Sequence, residues 1–252
     1  MGWQSGQEAP LSTKQYPKLR EAPEKAIKSG TVGVVSGELS RYSIFSMALL
    51  GLLSYSGELV SYFSWQTSSN VTGNCNELAK GMQGDWLWLI GDDHVFNPDL
   101  LERLVLHDVD VVVPLCLQRS SPYPHVVYEG EDFEADEEGT HILHTSLPED
   151  GLTEIYASGQ AGMLIKKHVL DAIGEPWFET YGKQNEDLEF CRKIRNAGFK
   201  IHCDTGAHLG HIGQVIVWPH YHEQYKWGIR MNTGAEQNIF LRRFSESGLS
   251  PA

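Results

Sequence analysis

The strongest candidates for chemistry in this sequence are three polar residues that directly follow a buried-looking apolar run. Asp92, Asp93 and His94 come after residues 86–90, which are all apolar. A run of this kind is typical of a strand buried on both faces, and the carboxyl ends of such strands form the rim where open α/β sheets bind ligands. Two carboxylates and an imidazole could bind a divalent cation, which is most useful to an enzyme that handles phosphates. An acidic turn that only leads into a helix is the alternative.

A second pair of carboxylates, Glu186 and Asp187, stands at the start of a predicted helix. Asn185 is the predicted N-cap, apolar residues follow at helical spacing, and Gly198 is predicted to end the helix. The helix macrodipole stabilises carboxylates in a first turn, which is a sufficient structural reason for their presence. An ionised carboxylate held in this way could also accept a proton from a hydroxyl group, at some cost in basicity.

Strands and helices alternate along the part of the chain that must position these residues. The predicted strands are 31–35, 59–65, 86–90, 109–115 and 199–203, and the predicted helices include 43–54, 74–82 and 185–197. This order predicts an α/β fold with a mostly parallel sheet and right-handed crossovers. A further apolar run, 155–165, contains Gly159 and Gly162, and glycines inside a strand indicate a bulge or the close approach of another group.

Composition narrows the class of protein. The 252 residues carry a formal net charge of −13, which argues against a nucleic-acid backbone as the main partner because such binding depends on Lys and Arg. No apolar run is long enough to cross a bilayer and no leader-like segment opens the sequence, so we expect a cytoplasmic protein without a membrane span. The four cysteines form no CxxC pair, which predicts reduced, buried thiols rather than a zinc site.

Residues 86–101 resemble the metal-binding loop of GT-A glycosyltransferases, especially the family-2-like enzymes. In those enzymes an apolar strand ends in Asp-x-Asp, and a helix that begins with a proline follows. Pro98 is the corresponding proline in this chain. Gly91 stands in place of the first aspartate, Asp93 in place of the second, and Asp92 is the middle residue. Read as Asp92-x-His94, the loop resembles the Asp-x-His variant of related transferases. The resemblance implies a Rossmann-like central sheet flanked by helices, a small antiparallel addition, and Mn²⁺ or Mg²⁺ bound by Asp93.

Two later segments match the same family in the same order. The Glu186-Asp187 pair resembles the Glu-Asp of inverting GT-A enzymes, whose aspartate is the base, so the resemblance implies Asp187 as general base and Glu186 as second choice. A histidine after the last core strand reaches the metal in this group. His211 is the best match for it, and His208 is the alternative.

The resemblance also implies where the substrates bind. The donor nucleotide would lie over the strand tips, and Arg119 either meets its phosphates or is simply solvated. Cys75 stands where many relatives have an arginine. The donor-binding residues implied are Ser36, Gly37, Glu38, Asn76, Asp92, Gly159 and Gln160. The predicted acceptor-side residues are Trp177, His220 and Tyr221.

The chain is predicted to have three parts, of which the resemblance covers only the middle one, from about residue 31 to residue 213. Residues 1–29 are predicted to form a loosely packed N-terminal arm, 30–213 the GT-A catalytic domain, and 214–252 an acceptor-side segment with a helix near 235–244. We expect this last segment to be a lid that becomes ordered when nucleotide binds.

The function predicted from this resemblance is metal-dependent, inverting transfer of a sugar from a nucleotide-diphosphate donor, a UDP-sugar, to an acceptor hydroxyl. The acceptor could be a glycan, lipid, small molecule, protein or modified nucleobase. A retaining transferase on the same fold and a non-catalytic nucleotide-sugar-binding module are alternatives, and Gly91 favours the module. A nucleotidyltransferase is disfavoured because no glycine-rich, basic phosphate loop follows the first strand.

Overall fold

A computed structural model describes residues 28–37, 42–119, 123–132, 140–144, 146–182, 185–213, 216–223, 226–232 and 236–239. The strands in this part of the chain are β1 (Gly30–Ser36), β2 (Val60–Thr67), β3 (Trp86–Gly91), β4 (His94–Val95), β5 (Val111–Cys116), β6 (Val127–Asp132), β7 (Thr140–Leu143), β8 (Leu152–Ile155), β9 (Ala157–Ser158), β10 (Met163–Lys166), β11 (Ile201–Ile212), β12 (Ile216–His222), β13 (Lys226–Asn232) and β14 (Glu236–Ile239). The helices are α1 (Ser43–Tyr55), α2 (Val71–Lys80), α3 (Leu100–Leu106), α4 (Lys167–Ile173) and α5 (Glu186–Asn196).

The fold is organised around one central sheet, in the order β14-β13-β12-β11-β5-β10-β3-β1-β2. Strand β1 pairs in parallel with β2 and β3, and β5 pairs in parallel with β11. Strand β10 runs antiparallel between β3 and β5. A separate sheet of β7, β6 and β9 is antiparallel. The predicted α/β fold, with a mostly parallel sheet and a small antiparallel addition, is confirmed.

Strand β3 is apolar throughout because its two faces supply two different hydrophobic cores. Leu87 and Leu89 pack into a core with residues of α2, α4 and α5. Trp88 and Ile90 pack into a second core with residues of α1 and α3. Burying a side chain of this size contributes about 1.5 to 3 kcal/mol. These two cores fix β3 firmly beneath the acidic residues that follow it.

Two helices begin at different residues from those that the sequence predicts. Helix α2 starts at Val71, three residues early, because the Asn70 side chain accepts a hydrogen bond from the Gly73 amide at 2.9 Å. Helix α3 starts at Leu100 rather than at Pro98, with Asp99 at its N-cap.

A buried ionic cluster joins α3 to β11. Asp204 is fully buried and accepts hydrogen bonds from Arg103, with Nη2 to Oδ1 at 2.5 Å and a second bond from Nε, while His107 Nε2 lies 2.7 Å from Oδ2. Burial alone would raise the pKa of Asp204, but the bonds with His107 and Arg103 lower it to about 2. Arg103 also bonds Asp150 at 2.8 Å. This cluster helps to hold β11 in place.

The C-terminal part of the described chain extends the sheet. Strands β12, β13 and β14 form an antiparallel meander next to β11, and β12 and β13 pair from Ile216↔Asn232 to His222↔Lys226. A helix was predicted near 235–244, and this prediction is wrong for residues 236–239. They form β14, because the edge of β13 offers hydrogen bonds to their backbone. Residues 240–252 and most of the predicted N-terminal arm lie outside the described residues. No helix in the described ranges is both long and apolar enough to cross a membrane.

Candidate active site

The ends of three strands form one rim. Val35 of β1 pairs with Gly91 of β3, and both β3 and β5 run antiparallel to β10, so β1, β3 and β5 end on the same side. Strand β11 has a bulge after Asp204, beyond which Leu209 pairs with Cys116. The chain of β11 therefore continues past the end of β5 and carries its last residues over the rim.

The short strand β4 brings His94 and His211 together. The two residues are backbone partners in the β4–β11 ladder, and Gly210 pairs with Val95 next to them. Their imidazole rings are stacked, with centroids 4.7 Å apart and planes inclined by 19°. The turn after β3 and the end of β11 thus meet although they are far apart in sequence.

Asp93 lies between two histidines and an arginine. Its Oδ1 is 3.1 Å from His94 Nδ1, its Oδ2 is 3.4 Å from His211 Nε2, and Arg119 Nη1 donates to Oδ2 at 2.6 Å. Burial alone would raise the pKa of Asp93, but hydrogen bonds with His211 and His94 hold it well below its usual range. Asp93 is therefore a carboxylate at neutral pH. The structure brings together the two residues that the sequence predicts as metal ligands.

The orientation of His211 is fixed by the backbone. Its Nδ1 lies 2.9 Å from the carbonyl oxygen of Leu117, which can only accept, so Nδ1 carries a hydrogen. In the neutral ring Nε2 then directs a lone pair towards the carboxylate of Asp93, whereas in the protonated ring it donates the hydrogen bond that lowers the pKa of Asp93. Two acceptors that face each other need a proton or a cation between them. Two ligands at right angles on one ion, each about 2.1 Å from it, are about 3 Å apart, so the 3.4 Å separation fits a shared cation.

The structure gives a physical reason for Gly91. A Cβ atom at this position would lie 2.8 Å from Asp93 Oδ1 and 3.1 Å from His94 Nδ1. A side chain here, including the aspartate of the family motif, would require the carboxylate of Asp93 to shift from its position beside His94. Glycine at position 91 therefore leaves room for the Asp93–His94 pair.

Asp92 points to the β1 side of the rim. Its Oδ2 accepts a hydrogen bond of 2.5 Å from Ser36 Oγ, and its backbone amide donates to the carbonyl oxygen of Val35 at 3.1 Å. Asp92 is almost fully buried. Gly37 follows Ser36 at the β1 tip, whereas Glu38 lies outside the described residues.

Asp187 is partly buried in the first turn of α5, beside the glycine-containing segment. Its Oδ1 accepts from the Leu188 amide at 2.8 Å, and a Cβ atom on Gly159 would lie 3.5 Å from its Oδ2. Burial, the largest effect, and the charge of Glu186 raise the pKa of Asp187 to about 6, against the lowering effect of backbone donors that include Gln160. The position of Asp187 at a helix start was expected to lower its basicity. The raised pKa contradicts this expectation, because the effect of burial is larger than that of the helix macrodipole.

Backbone hydrogen bonds connect Asp187 with the Asp93 end of the rim. The Val126 amide donates to the Cys116 carbonyl at 3.3 Å, and the Gly159 amide donates to the Val126 carbonyl at 3.0 Å. Gly159 in turn lies against Asp187. The predicted base and the predicted metal ligands are thus on neighbouring segments of one rim.

Asn76 has a structural role. Its Oδ1 accepts from the amides of Trp177 and Phe178, both at 3.1 Å. Its Nδ2 donates to the carbonyls of Phe178 at 2.7 Å and Thr72 at 3.1 Å. The side-chain amide thus uses its full hydrogen-bonding capacity within the chain, and a contact of Asn76 with the donor would require one of these bonds to break.

Trp177 belongs to the hydrophobic core. It is 9% exposed, and its Nε1 donates to the Leu170 carbonyl at 2.8 Å. The large ring is part of the core that also contains residues of α4 and α5. The acceptor-side role of Trp177 stays a prediction, which this burial does not favour.

The other predicted donor-side and acceptor-side residues contact α2 and β13. The Gln160 amide contacts Cys75 Sγ, with Nε2 to Sγ at 3.0 Å. Strand β12 places His220 opposite Gly228, and Tyr221 packs edge-on against Trp227 with ring centroids 5.2 Å apart.

His208 does not reach the Asp93 side. Its ring packs against Trp227, and its Nε2 lies 3.1 Å from the Thr205 carbonyl. Side chains alternate between the two faces of a strand, so residues three positions apart lie on opposite faces. His208 and His211 are therefore on opposite sides of β11. Of the two histidines weighed from the sequence, His211 is the one that contacts Asp93.

Sequence reasoning missed Cys116. It is the last residue of β5, and its Sγ belongs to a group with nitrogen atoms of His94 and His211 in which the ligand atoms all lie within 4.8 Å of one another. Its position directly after the apolar run 111–115 was the signal that could have found it, the same one that identified Asp92 and Asp93.

The sheet order, with its antiparallel strand between β3 and β5 and its acidic rim, defines a GT-A fold. The model of the family described as glycosyltransferase like family 2 matches residues 54–228, and the chain belongs to this family. It is a glycosyltransferase, as predicted.

Two solved structures show the same fold. A197 from STIV has a TM-score of 0.51 and 15% identity, over 74% of this chain and 88% of that one. GalNAc-T7, solved with UDP, GalNAc and Mn²⁺, has a TM-score of 0.56 and 11% identity, over 75% of this chain and 45% of that one. At these identities the likeness concerns the fold alone. Among curated proteins, no sequence matches this chain.

Proposed function

We propose that this glycosyltransferase moves a sugar from a UDP-sugar to an acceptor hydroxyl with inversion, in a reaction that depends on a divalent cation. The observation that carries the proposal is the approach of His211 Nε2 to Asp93 Oδ2 at 3.4 Å, with the Nδ1 of the same ring bonded to the Leu117 carbonyl. GalNAc-T7, which shares the fold, was solved with UDP and Mn²⁺, and this supports the choice of nucleotide and metal.

Asp93 and His211 would hold the cation. Carboxylate and imidazole together suit Mn²⁺, and Mg²⁺ accepts the carboxylate with water and phosphate oxygens in the other positions. When bound, the ion supplies positive charge that stabilises the departing diphosphate.

Arg119 is proposed to bind the same phosphates. Its guanidinium bonds Asp93 Oδ2, and its side chain is 48% exposed, so it can reorient without breaking core packing. The planar guanidinium group fits two phosphate oxygens at once. On the other side of the rim, Ser36 and Asp92 flank the place proposed for the nucleoside.

Asp187 is the proposed general base. With a pKa of about 6 it is mostly ionised at neutral pH, yet it remains close enough to the working pH to accept a proton efficiently. The acceptor oxygen attacks the anomeric carbon while its proton passes to Asp187. The bond between that carbon and the phosphate oxygen breaks, and the nucleoside diphosphate leaves with the electron pair.

The packing of Gly91 weakens the case for a non-catalytic module. The absence of an aspartate at this position was the feature that favoured loss of turnover. A side chain at position 91 would displace Asp93 from His94. Gly91 therefore allows the Asp93 carboxylate to keep its position as a proposed metal ligand.

The test is a donor panel. The purified chain is incubated with single nucleotide sugars and Mn²⁺, and released nucleotide diphosphate is measured. We expect release from a UDP-sugar, abolished by a chelator and in both Asp187→Asn and Asp93→Asn. Asp171→Asn is the matched control, because Asp171 is an exposed aspartate paired with Lys167 on α4. Binding of UDP-sugars with no release under any condition, or release unaffected by the chelator, would contradict the proposal.

A further inference from the structure

Three side chains at the rim form a group with the chemistry of a transition-metal site. One ligand atom each from His94, Cys116 and His211 lies within 4.8 Å of the other two. The three residues come from β4, the end of β5 and the end of β11, and the ladder pairs His211↔His94 and Leu209↔Cys116 fix their relative positions. The group adds a thiol and a second imidazole to the pair proposed for the catalytic cation.

His94 presents a buried nitrogen that has no hydrogen-bond partner. Its Nδ1 lies 3.1 Å from the Gly91 carbonyl and 3.1 Å from Asp93 Oδ1, and both atoms accept, so Nδ1 carries the hydrogen. The lone pair of the neutral ring is then on Nε2. Within the part of the chain that the structure describes, this atom is buried without a hydrogen bond, and the whole residue is 5% exposed. A buried acceptor without a partner is unfavourable, and a cation would satisfy it.

The ring of His211 likewise has its Nδ1 hydrogen bonded to an acceptor and its Nε2 left as the second ring nitrogen. Its Nδ1 donates to the Leu117 carbonyl, which leaves Nε2 as the ligand atom. A backbone or carboxylate acceptor on the second ring nitrogen is the usual arrangement for a metal-binding histidine, because it fixes the tautomer. Both histidines at this rim have that arrangement.

Cys116 makes the ligand set soft. The residue is 1% exposed, and among the described residues its thiol makes only a long contact of 3.5 Å with the Leu117 carbonyl. Two imidazoles and a thiolate suit Zn²⁺ and Co²⁺ and do not suit Mg²⁺. In a tetrahedral zinc site neighbouring ligand atoms are about 3.3 to 3.6 Å apart, so the three side chains must move inward and the stacked rings of His94 and His211 must turn towards a common ion.

We propose that this chain binds Zn²⁺ or Co²⁺ through His94 Nε2, Cys116 Sγ and His211 Nε2, and that this ion inhibits sugar transfer because His211 is shared with the catalytic cation. On binding, the Cys116 S–H bond breaks, its proton goes to solvent, and a sulfur–metal bond forms while the metal stays divalent. The inhibition rests on the proposed function, whereas the binding does not.

Titration with Co²⁺ tests the binding directly. Cobalt bound by a thiolate has a near-ultraviolet charge-transfer band, which nitrogen and oxygen ligands do not give. We expect the band in the chelator-treated full chain and its loss in Cys116→Ser. Cys203→Ser is the matched control, since Cys203 is an equally buried free cysteine, and it should keep the band. Circular dichroism of each variant shows whether it folds.

A second variant keeps the test valid if Cys116→Ser fails to fold. His94→Gln retains the thiol and should weaken Co²⁺ binding at least tenfold. A cobalt complex of the native chain without the charge-transfer band, or an unchanged cobalt affinity in folded His94→Gln, overturns the inference.

The inhibition is measured as the Zn²⁺ concentration that halves Mn²⁺-supported transfer. Cys116→Ser should raise this concentration at least tenfold relative to Cys203→Ser. An unchanged value overturns the inhibitory role. If no transfer is found while the cobalt band behaves as expected, only the proposed function fails. If transfer is present and the band is absent, only the present inference fails.

Discussion

His211 directs Nε2 at the carboxylate of Asp93 across 3.4 Å, while the Leu117 carbonyl holds its other ring nitrogen at 2.9 Å. This relationship depends on the short strand β4, which pairs His94 with His211 and so joins the turn after β3 to the end of β11. Strand pairing, rather than a flexible loop, therefore sets the position of both proposed ligands. We expect a rim that needs little rearrangement to bind a cation.

Replacement of Asp187 should remove most of the activity. Asp187→Asn keeps the shape of the side chain but cannot accept a proton, so we expect kcat to fall about 10²- to 10⁴-fold. Glu186→Gln is the control on the same turn and should keep most of the activity. Initial rates with the best donor of the panel measure both. Comparable losses in the two variants would show that Asp187 is not specifically the base.

The pH dependence of the reaction should report the same carboxyl group. Because the pKa of Asp187 is raised to about 6, kcat should rise with pH through about 6 and level off above 7. The measurement is a pH–rate profile in buffers that do not bind the metal. A profile that is flat between pH 5 and 7, with Asp187→Asn inactive, would be inconsistent with a proton transfer to this group in the limiting step.

Asp187→Asn should also stabilise the fold. The folded state holds the proton of Asp187 more tightly than the unfolded chain, whose pKa is 3.8, so its free energy of unfolding falls as pH rises from about 4 to above 6. Asp187→Asn does not lose stability in this way, because the amide side chain does not ionise. Discounted for partial exposure, the gain is about 2 kcal/mol at pH 7.5 and close to zero at pH 3.5. Urea unfolding at the two pH values measures it, and an equal change at both would show that ionisation of Asp187 is not the cause.

Asp204 should have the opposite pH behaviour. Its folded pKa of about 2 lies below its unfolded value of 3.8, so the stability it contributes is present above pH 4 and is lost as pH falls towards 2. Asp204→Asn leaves Arg103 and His107 without their carboxylate and should cost about 3 to 5 kcal/mol at pH 7. Asp171→Asn, which removes an exposed pair, should cost less than about 1 kcal/mol. Similar losses in the two variants would mean that the buried cluster has no special role.

Glycine at position 91 should be needed for metal binding. Gly91→Ala places a Cβ atom 2.8 Å from Asp93 Oδ1 and so displaces the carboxylate from His94. We expect Mn²⁺ affinity to fall about tenfold, in the range seen when neighbours of metal ligands are changed. Gly57→Ala is the matched control, because a Cβ atom there meets no atom of the described residues within 4 Å beyond its chain neighbours. Calorimetric titration with Mn²⁺ and UDP distinguishes them, and equal affinities would refute a packing role for Gly91 at the metal site.

Much of the fold follows from local patterns. The run 86–90 is apolar without alternation because β3 supplies two cores, and this pattern alone predicts a buried strand whose end lies at a ligand-binding rim. The segment 236–239 was predicted as a helix and is a strand. Its conformation depends on pairing with β13, which spacing along the chain does not encode.

The site was predictable only where a residue's role follows from its own segment. Asp93 and Asp187 were found because they stand at the end of a strand and at the start of a helix. The roles of Asn76 and Trp177 depend on partners about a hundred residues away, or on packing between helices, and a single sequence does not reveal them. Cys116 was missed because its importance comes from the histidines that β4 and β11 bring beside it.

The central claim is that Asp93 and His211 bind one cation, and a double-mutant cycle tests it most directly. Mn²⁺ is titrated calorimetrically, with UDP present, into the native chain, Asp93→Asn, His211→Ala and the double variant. We expect each single variant to lose at least tenfold in affinity and the double variant to lose much less than the product of the two, because both remove ligands of the same ion. Full additivity, or native affinity in either single variant, would contradict the claim.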